Sequence, residues 1–267
     1  MTTQVVGGLA AIDAMFVRAK KQKRAAFLPY FPIGYPDYQT SLDVITAMAE
    51  EDVDGFEIGM PFSDPLADGP VNQAATQIAL ENGTTIKTCL EAIRALRERG
   101  VSQPMLMMGY LNPLLAYGLE AFVRDAKTAG ANGLLLPDLP PEEGVELAAL
   151  CAREGLALVF FLAPTSSDQR IAMVSQCATG FIYVVTITGV TGERRELPPD
   201  LADFVARLKA NVDKPLVMGF GIGTPEQARS MNGLVDGFAV GTALVRVGKQ
   251  GVEPVRALAS SLRKALD

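Results

Sequence analysis

Short apolar runs alternate with segments of helical periodicity along the whole chain. Between the runs, apolar residues recur at helical spacing, as at Ile86, Cys89, Ile93 and Leu96. Eight runs have strand length and are apolar at both alternating positions, which is typical of parallel strands covered by helices. They occupy residues 26–31, 53–60, 105–110, 133–137, 156–162, 181–187, 215–220 and 235–240. The pattern predicts an α/β fold, a single (β/α)8 TIM barrel over residues 1–267; a doubly wound open sheet is the structural alternative.

Two additions to the repeating unit are expected. Leu9, Ile12 and Phe16 share one helical face ahead of the first strand, which predicts an extra N-terminal helix covering one end of the fold. The intervals after strands two and six are longer than the others. Their surplus lies in residues 61–73, followed by an extra helix, and in residues 188–199. Because these loops follow the C-terminal strand ends, where barrel active sites lie, we expect them to be functional.

The composition limits which catalytic groups and binding partners the chain can use. The chain contains no histidine, which excludes Ser-His-Asp and Cys-His catalytic units, an imidazole-bound zinc ion and a histidine general base. The net charge of −6 argues against non-specific binding to nucleic acid or to an anionic membrane. No apolar run approaches the roughly 20 residues that span a bilayer. Carboxylates and tyrosines are therefore the first candidates for proton transfer.

The cysteines and the N-terminus indicate a cytoplasmic protein. Cys89, Cys151 and Cys177 are odd in number and widely spaced, which fits neither a disulfide framework nor a CxxC site. Each falls at an apolar helical position, so we expect three buried thiols. The apolar stretch 5–16 precedes the basic run 20–24, which is the reverse of the order in a secretory signal.

Glu57 is the strongest catalytic candidate. In the second strand, Phe56 and Ile58 point to one face, whereas Gly55, Glu57 and Gly59 point to the other. An ionisable group that faces a barrel interior between two glycines is costly unless it is used. We interpret it as a general acid/base with a raised pKa. The alternative is a structural carboxylate bonded to a neighbouring loop.

The proline-rich loop after the second strand presents Asp64 and Asp68 near the same end of the barrel. Either carboxylate can simply cap the next helix. Asp68 lies further along the loop and is placed to reach a bound ligand.

Glycines cluster after the last three strands. Gly219, Gly221 and Gly223 follow strand seven, Gly241 precedes Thr242 after strand eight, and residues 189–192 follow strand six. Loops at these strand ends often bind phosphate through backbone N–H groups and a helix N-terminus. Glycines are also common turn residues, but three clusters at these strand ends favour a phosphate site.

Several reaction classes are excluded by what the strands lack. A Schiff-base aldolase needs a lysine inside the barrel, and no lysine falls within the predicted strands; Lys214 precedes strand seven at the wrong end. No P-loop and no dinucleotide-binding glycine motif follows the first strand. Acid–base chemistry on a phosphorylated small molecule remains.

Residues 56–70, which read FEIGMPFSDPLADGP, resemble the signature of the tryptophan synthase alpha chain family. The resemblance continues in order over nearly the whole chain, through residues 109–113, 136–140, 163–165, 189–192 and 219–221. It implies a lyase that cleaves indole-3-glycerol phosphate to indole and glyceraldehyde 3-phosphate by a retro-aldol reaction in L-tryptophan biosynthesis. It also implies that this chain carries no cofactor and no metal.

The resemblance implies a role for each matching residue. Glu57 moves protons at indole C3 and at the glycerol hydroxyl, and Asp68 accepts the indole N1–H and stabilises positive charge on that nitrogen. Tyr183 lines the pocket beside Glu57, although it also fits a core aromatic position. The phosphate is held at Gly192, Gly221, Gly241 and Thr242, and Thr191 helps to close the loop after strand six over Asp68.

The resemblance also implies a partner. Family members work in an alpha2-beta2 complex with a beta chain that carries pyridoxal phosphate (PLP) and receives indole through a tunnel. Asp64, Pro65 and Asn112 match the docking surface. Stand-alone relatives release free indole and are the alternative.

This sequence departs from the family pattern at three positions. Pro32 replaces a usual threonine, Asn72 replaces an apolar residue common near the indole pocket, and Thr242 stands where serine is more usual. The first two changes alter substrate packing without touching Glu57 or Asp68. Two competing hypotheses are another phosphate-binding barrel, such as an isomerase or cyclase, and a non-catalytic activator of a beta chain. The signature of the second strand argues against the first, and the presence of both carboxylates against the second.

Overall fold

The computed structural model describes residues 7–185, 200–219 and 221–267. Eight parallel strands close into a barrel in chain order, because β1 pairs with both β2 and β8. The strands are β1 (Ala26–Pro32), β2 (Phe56–Gly59), β3 (Met105–Met108), β4 (Gly133–Leu135), β5 (Ala157–Leu162), β6 (Ile182–Val185), β7 (Leu216–Gly219) and β8 (Gly237–Val240). The predicted TIM barrel is confirmed, and the open sheet is wrong.

Helices cover the outside of the barrel. Within the described residues they are α1 (Leu9–Lys21), α2 (Tyr38–Glu50), α3 (Pro70–Glu81), α4 (Ile86–Glu98), α5 (Leu111–Tyr117), α6 (Leu119–Ala129), α7 (Val145–Glu154), α8 (Asp168–Cys177), α9 (Leu201–Lys209), α10 (Pro225–Ser230), α11 (Thr242–Gly248) and α12 (Val252–Lys264). The extra helices α1 and α3 were both predicted. Helix α5 was not, because its seven residues span too few turns to show a helical period. Of these helices, none is long and apolar enough to cross a membrane.

Helix α1 closes the N-terminal end of the barrel, as its amphipathic pattern predicted. Ile12, Met15 and Phe16 pack in one cluster with side chains from the barrel interior. The Phe16 ring meets the Phe181 ring edge-on, with 5.8 Å between centroids. A substrate therefore has access only to the opposite end, where the strands terminate.

Strand β2 begins later than the sequence pattern predicted, because Asp54 is engaged before the strand starts. Its fully buried carboxylate accepts hydrogen bonds from both terminal nitrogens of Arg24 and, at 2.9 Å, from the backbone N–H of Phe27. This buried ion pair joins the start of β1 to the entry of β2 and fixes the position of Glu57 three residues later.

The cysteine prediction holds for two of three residues. Cys89 and Cys151 are buried, and burial raises the pKa of each thiol to about 12. Cys177 is the last residue of α8 and is partly exposed, so its expected full burial is wrong. Because α8 ends at Cys177, no further helical turn covers this residue.

Candidate active site

Glu57 points into the barrel from β2, next to Tyr30 on β1 and Leu106 on β3 in the strand register. Only 1% of the residue is exposed, and burial raises its pKa from 4.5 to about 8. Its Oε1 atom has no hydrogen-bond partner among the described residues. The expected inward carboxyl group with a raised pKa is therefore present, whereas bonding to a neighbouring loop at Oε1 is not seen.

Two tyrosine rings lie near Glu57, and each occupies space that a glycine leaves open. A Cβ atom at Gly59 would lie 2.6 Å from Tyr30 Oη, and one at Gly219 would overlap the Tyr183 ring. Both glycines therefore leave room for a phenol inside the barrel. Tyr183 lies on β6 with its ring centroid 4.8 Å from that of Phe161. Burial raises the pKa of Tyr183, and so do the charges of Glu57 and Asp68.

Asp68 is fixed at the end of the β2–α3 loop by its neighbours. The Tyr110 hydroxyl donates to Asp68 Oδ2 at 2.9 Å and accepts from the Ala67 N–H at 3.1 Å. The Gln73 side chain donates to the Asp68 carbonyl oxygen at 2.8 Å. Burial raises the pKa of the Asp68 carboxyl group, and side-chain hydrogen bonds from Tyr110 and Asn72 oppose that rise. This is a buried carboxylate held in one orientation.

The sequence interpretation missed Tyr30 and Tyr110. Burial raises the pKa of Tyr30, as do Asp68, Tyr110 and Glu57, whereas a hydrogen bond with Thr76 lowers it. Two signals pointed to these residues. Tyr30 has the inward phase of Ala26 and Leu28 on β1, and Tyr110 follows directly after β3 at the active end. Neither signal marks a tyrosine as functional without the barrel closure that brings them together.

The two departures near the pocket are both buried. Pro32 ends β1 and pairs with Gly59, and the next backbone N–H, that of Ile33, donates to the Gly59 carbonyl oxygen at 3.1 Å. Asn72 lies on α3 with 8% of its surface exposed, and its Oδ1 atom has no partner in the part of the chain that the structure describes. Its side chain hydrogen-bonds Asp68, so the expectation that this departure leaves Asp68 untouched is wrong.

The expected phosphate residues lie at the ends of β7 and β8, which are adjacent strands. Gly221 lies between β7 and α10; Gly241 precedes α11, and Thr242 is the first residue of that helix. A Cβ atom at Gly241 would be 3.2 Å from Tyr30 Cδ1, so this glycine lies against Tyr30, the residue that pairs with Glu57 in the strand register. Thr191 and Gly192 lie outside the described residues.

The expected docking residues lie along one rim of the site. Asp64 and Asn112 are exposed, and Pro65 is half-buried in a cleft that Asp68 and Tyr110 also line. Asp64 does not cap α3, whose N-cap is Gly69.

The loop after β2 and the start of α5 meet through the ring pair of Phe62 and Tyr110, with 5.5 Å between centroids. Each segment also exposes a leucine: Leu66 at 89% and Leu115 at 53%. The two segments therefore form one continuous rim. Among residues 7–185, 200–219 and 221–267, no group of three or more metal-ligating side chains is placed to hold a metal ion.

The raised pKa of Glu57 predicts that the free energy of unfolding depends on pH. Between about pH 4.5 and pH 8 the unfolded chain releases a proton that the folded chain keeps, so the free energy of unfolding falls as the pH rises through this window. Glu57→Gln removes this titration. We expect its free energy of unfolding, measured by denaturant titration, to match that of the wild type below about pH 4.5 and to exceed it increasingly towards pH 8, by up to a few kcal/mol. A difference that stays constant from pH 4 to pH 9 would show that the folded-state pKa is not raised.

A buried, high-pKa carboxyl group, a second oriented carboxylate and glycine-lined strand ends define an acid–base enzyme on a (β/α)8 barrel. Residues 16–264 match the family model described as "Tryptophan synthase alpha chain". The tryptophan synthase alpha chain of Roseiflexus castenholzii is 46% identical, over 91% of this chain and 93% of that protein.

Solved structures agree with these sequence matches. Tryptophan synthase of Mycobacterium tuberculosis superposes with a TM-score of 0.91 at 36% identity, covering 96% of this chain and 97% of that chain. The tryptophan synthase alpha chain of Legionella pneumophila gives 0.87 at 32% identity, with the same coverage of each chain.

The chain belongs to the tryptophan synthase alpha chain family. It is a lyase that cleaves indole-3-glycerol phosphate to indole and glyceraldehyde 3-phosphate, the alpha reaction of L-tryptophan biosynthesis. The family implies a beta chain as partner. The resemblance seen in residues 56–70 is thereby confirmed.

Proposed function

We propose that Glu57 is the acid/base of the alpha reaction. Its protonated carboxyl group donates a proton to indole C3, which converts the ring to an indolenine. The resulting carboxylate then takes the proton of the glycerol hydroxyl as the C3–C3′ bond breaks. The bonding electrons return to the ring, and indole and the aldehyde are released. A pKa of about 8 supports this assignment, because both protonation states are accessible near neutral pH.

Asp68 is proposed to act at the indole nitrogen, whereas Glu57 acts at C3. Protonation at C3 places positive charge on the indole nitrogen, and a fixed carboxylate stabilises that charge as it develops. The hydrogen bond from Tyr110 to Oδ2 supports this role, because it orients the carboxylate and leaves Oδ1 for the indole N–H. Tyr183 is proposed to line the pocket between the two carboxyl groups, each of which raises its pKa.

The phosphate end is proposed to consist of backbone groups. Gly221, Gly241 and Thr242 follow adjacent strands, and backbone N–H groups at such positions bind phosphate without a metal ion. Gly192 and Thr191 complete this proposal from the sequence alone. The whole chain, residues 1–267, is proposed to act as one catalytic domain.

The family implies a beta chain as partner but gives neither the stoichiometry of the complex nor the residues at its interface. We propose an alpha2-beta2 complex in which the rim containing Asp64, Pro65 and Asn112 contacts the beta chain. The exposed leucines on that rim support the proposal, because an apolar patch beside an active site is typical of an interface. PLP is proposed to belong to the beta chain, which accepts the indole. A cytoplasmic location follows from this biosynthetic role.

The decisive experiment is incubation of the purified chain with indole-3-glycerol phosphate, with and without the beta chain of the same organism, while indole and glyceraldehyde 3-phosphate are assayed. We expect equal amounts of both products and a faster reaction in the complex. Formation of neither product, with the beta chain present, would contradict the proposed site. A rate that the beta chain leaves unchanged would instead favour the stand-alone enzyme.

A further inference from the structure

A row of buried polar side chains leads from Asp68 along helix α3. Asn72 and Thr76 are four residues apart on the helix, and Asp68 lies just before it, so the three share one side. Their exposed fractions are 8%, 8% and 4%. Asp68 and Thr76 both line the cleft beside Tyr110, and Asn72 lies between them along the chain, buried on the same side of α3.

Among these three side chains, one buried polar atom lacks a hydrogen-bond partner in the described part of the chain. Tyr110 donates to Asp68, and Thr76 bonds with Tyr30. An ionised carboxylate only accepts hydrogen bonds, so Asn72 turns its amide nitrogen towards Asp68. The amide oxygen then faces away from Asp68, and it is this Oδ1 that has no partner among the described residues. A buried, unpaired acceptor costs free energy until a donor reaches it.

Unsubstituted indole offers no donor for this oxygen. Its single N–H is taken by Asp68, because a charged acceptor binds it more strongly than a neutral amide does. The hydroxyl groups of the substrate belong to its glycerol part, near Glu57 and the phosphate end. The cleft walls around Asp68 are otherwise largely apolar, with Met60, Phe62 and Met108. A donor on the six-membered ring would therefore pair with Asn72.

We propose that Asn72 is a specificity-determining residue whose amide oxygen accepts a hydrogen bond from a hydroxyl or amino group on the six-membered ring of the substrate. The enzyme would then process hydroxy- and aminoindole glycerol phosphates in addition to the unsubstituted compound. This inference rests on the proposed role of Asp68 at the indole nitrogen.

The test uses the reverse reaction, condensation of an indole with glyceraldehyde 3-phosphate by the full-length chain. The probes are indole, the four hydroxyindoles that carry the hydroxyl on the six-membered ring, and the four corresponding methylindoles as size-matched controls. For at least one ring position we expect kcat/KM to be about tenfold higher for the hydroxyindole than for the methylindole. A wild-type enzyme that prefers methyl at every position would overturn the proposal.

Asn72→Leu has nearly the same volume and no acceptor, so the preference should fall to about one. Asn72→Val provides the same test if the leucine variant folds poorly. The matched control is Gln77→Leu on the exposed side of the same helix, which should keep the wild-type preference. A preference that survives in both Asn72 variants would assign it to another residue and refute the inference. Failure to condense unsubstituted indole would instead count against the proposed function itself.

Discussion

Glu57→Gln is expected to fold normally and to lose indole formation by about 10²- to 10⁴-fold. The amide keeps the shape of the carboxyl group but neither donates a proton to indole C3 nor accepts one from the glycerol hydroxyl. Tyr30 and Tyr183 do not replace it, because the pKa of each is well above 10 in this buried site. The measurement is kcat for indole formation, with circular dichroism as the check on folding.

The matched control for this variant is Glu98→Gln, an exposed position on α4. It makes the same chemical change away from the site and should retain wild-type turnover. A Glu57→Gln enzyme that keeps a tenth of the wild-type rate would refute the acid/base assignment. Comparable losses in both variants would point to a general effect on the fold.

Glu57 was predictable from local sequence because its signal is local. Strand alternation fixes the side of the sheet that a residue faces, and Gly55 and Gly59 on that same side mark the space around it. The eight-strand architecture was predictable for a related reason, since each unit carries its own apolar run and helical period. The strand ends were less accurate, because side-chain bonds such as those of Asp54 start or stop pairing without a trace in hydropathy.

The hydroxyl partner of Asp68 was not predictable, because it comes from a distant part of the chain. Asn72 lies only four residues from Asp68, in the first turn of α3, but Tyr110 follows β3 and reaches Asp68 only after the barrel has closed. The same holds for Tyr30, whose neighbours include Gly59 on β2 and Gly241 after β8. A sequence pattern assigns a residue to a face, whereas contacts across a closed barrel depend on the strand register.

The absence of histidine has a structural counterpart in this site. The phenols of Tyr30, Tyr110 and Tyr183 surround the two carboxyl groups, and each phenol has a raised pKa. At neutral pH they remain protonated, so they do not compete for the transferred proton, and Tyr110 donates its hydrogen bond to Asp68. Proton transfer is left to Glu57, whose pKa of about 8 occupies the range that histidine usually serves.

Asp68→Asn is expected to lower kcat by about 10²- to 10³-fold while changing KM little. The single amide oxygen still accepts the indole N–H in place of Oδ1, while the amide nitrogen takes the place of Oδ2 beside the Tyr110 hydroxyl, so ground-state binding is largely kept. The negative charge is lost, however, and that charge matters most when positive charge builds on the nitrogen in the transition state. The measurement is a comparison of kcat and KM for indole-3-glycerol phosphate in the variant and the wild type.

Asp213→Asn is the control for this change, because it removes an exposed carboxylate that precedes β7, at the opposite end of the barrel. It should leave both constants unchanged. A rise in KM with an unchanged kcat in Asp68→Asn would mean that Asp68 binds substrate and transition state equally. Near-normal values of both constants would show that stabilising the indole nitrogen is not its task. Only a selective loss of kcat fits a carboxylate whose orientation Tyr110 fixes for the charge that appears during bond cleavage.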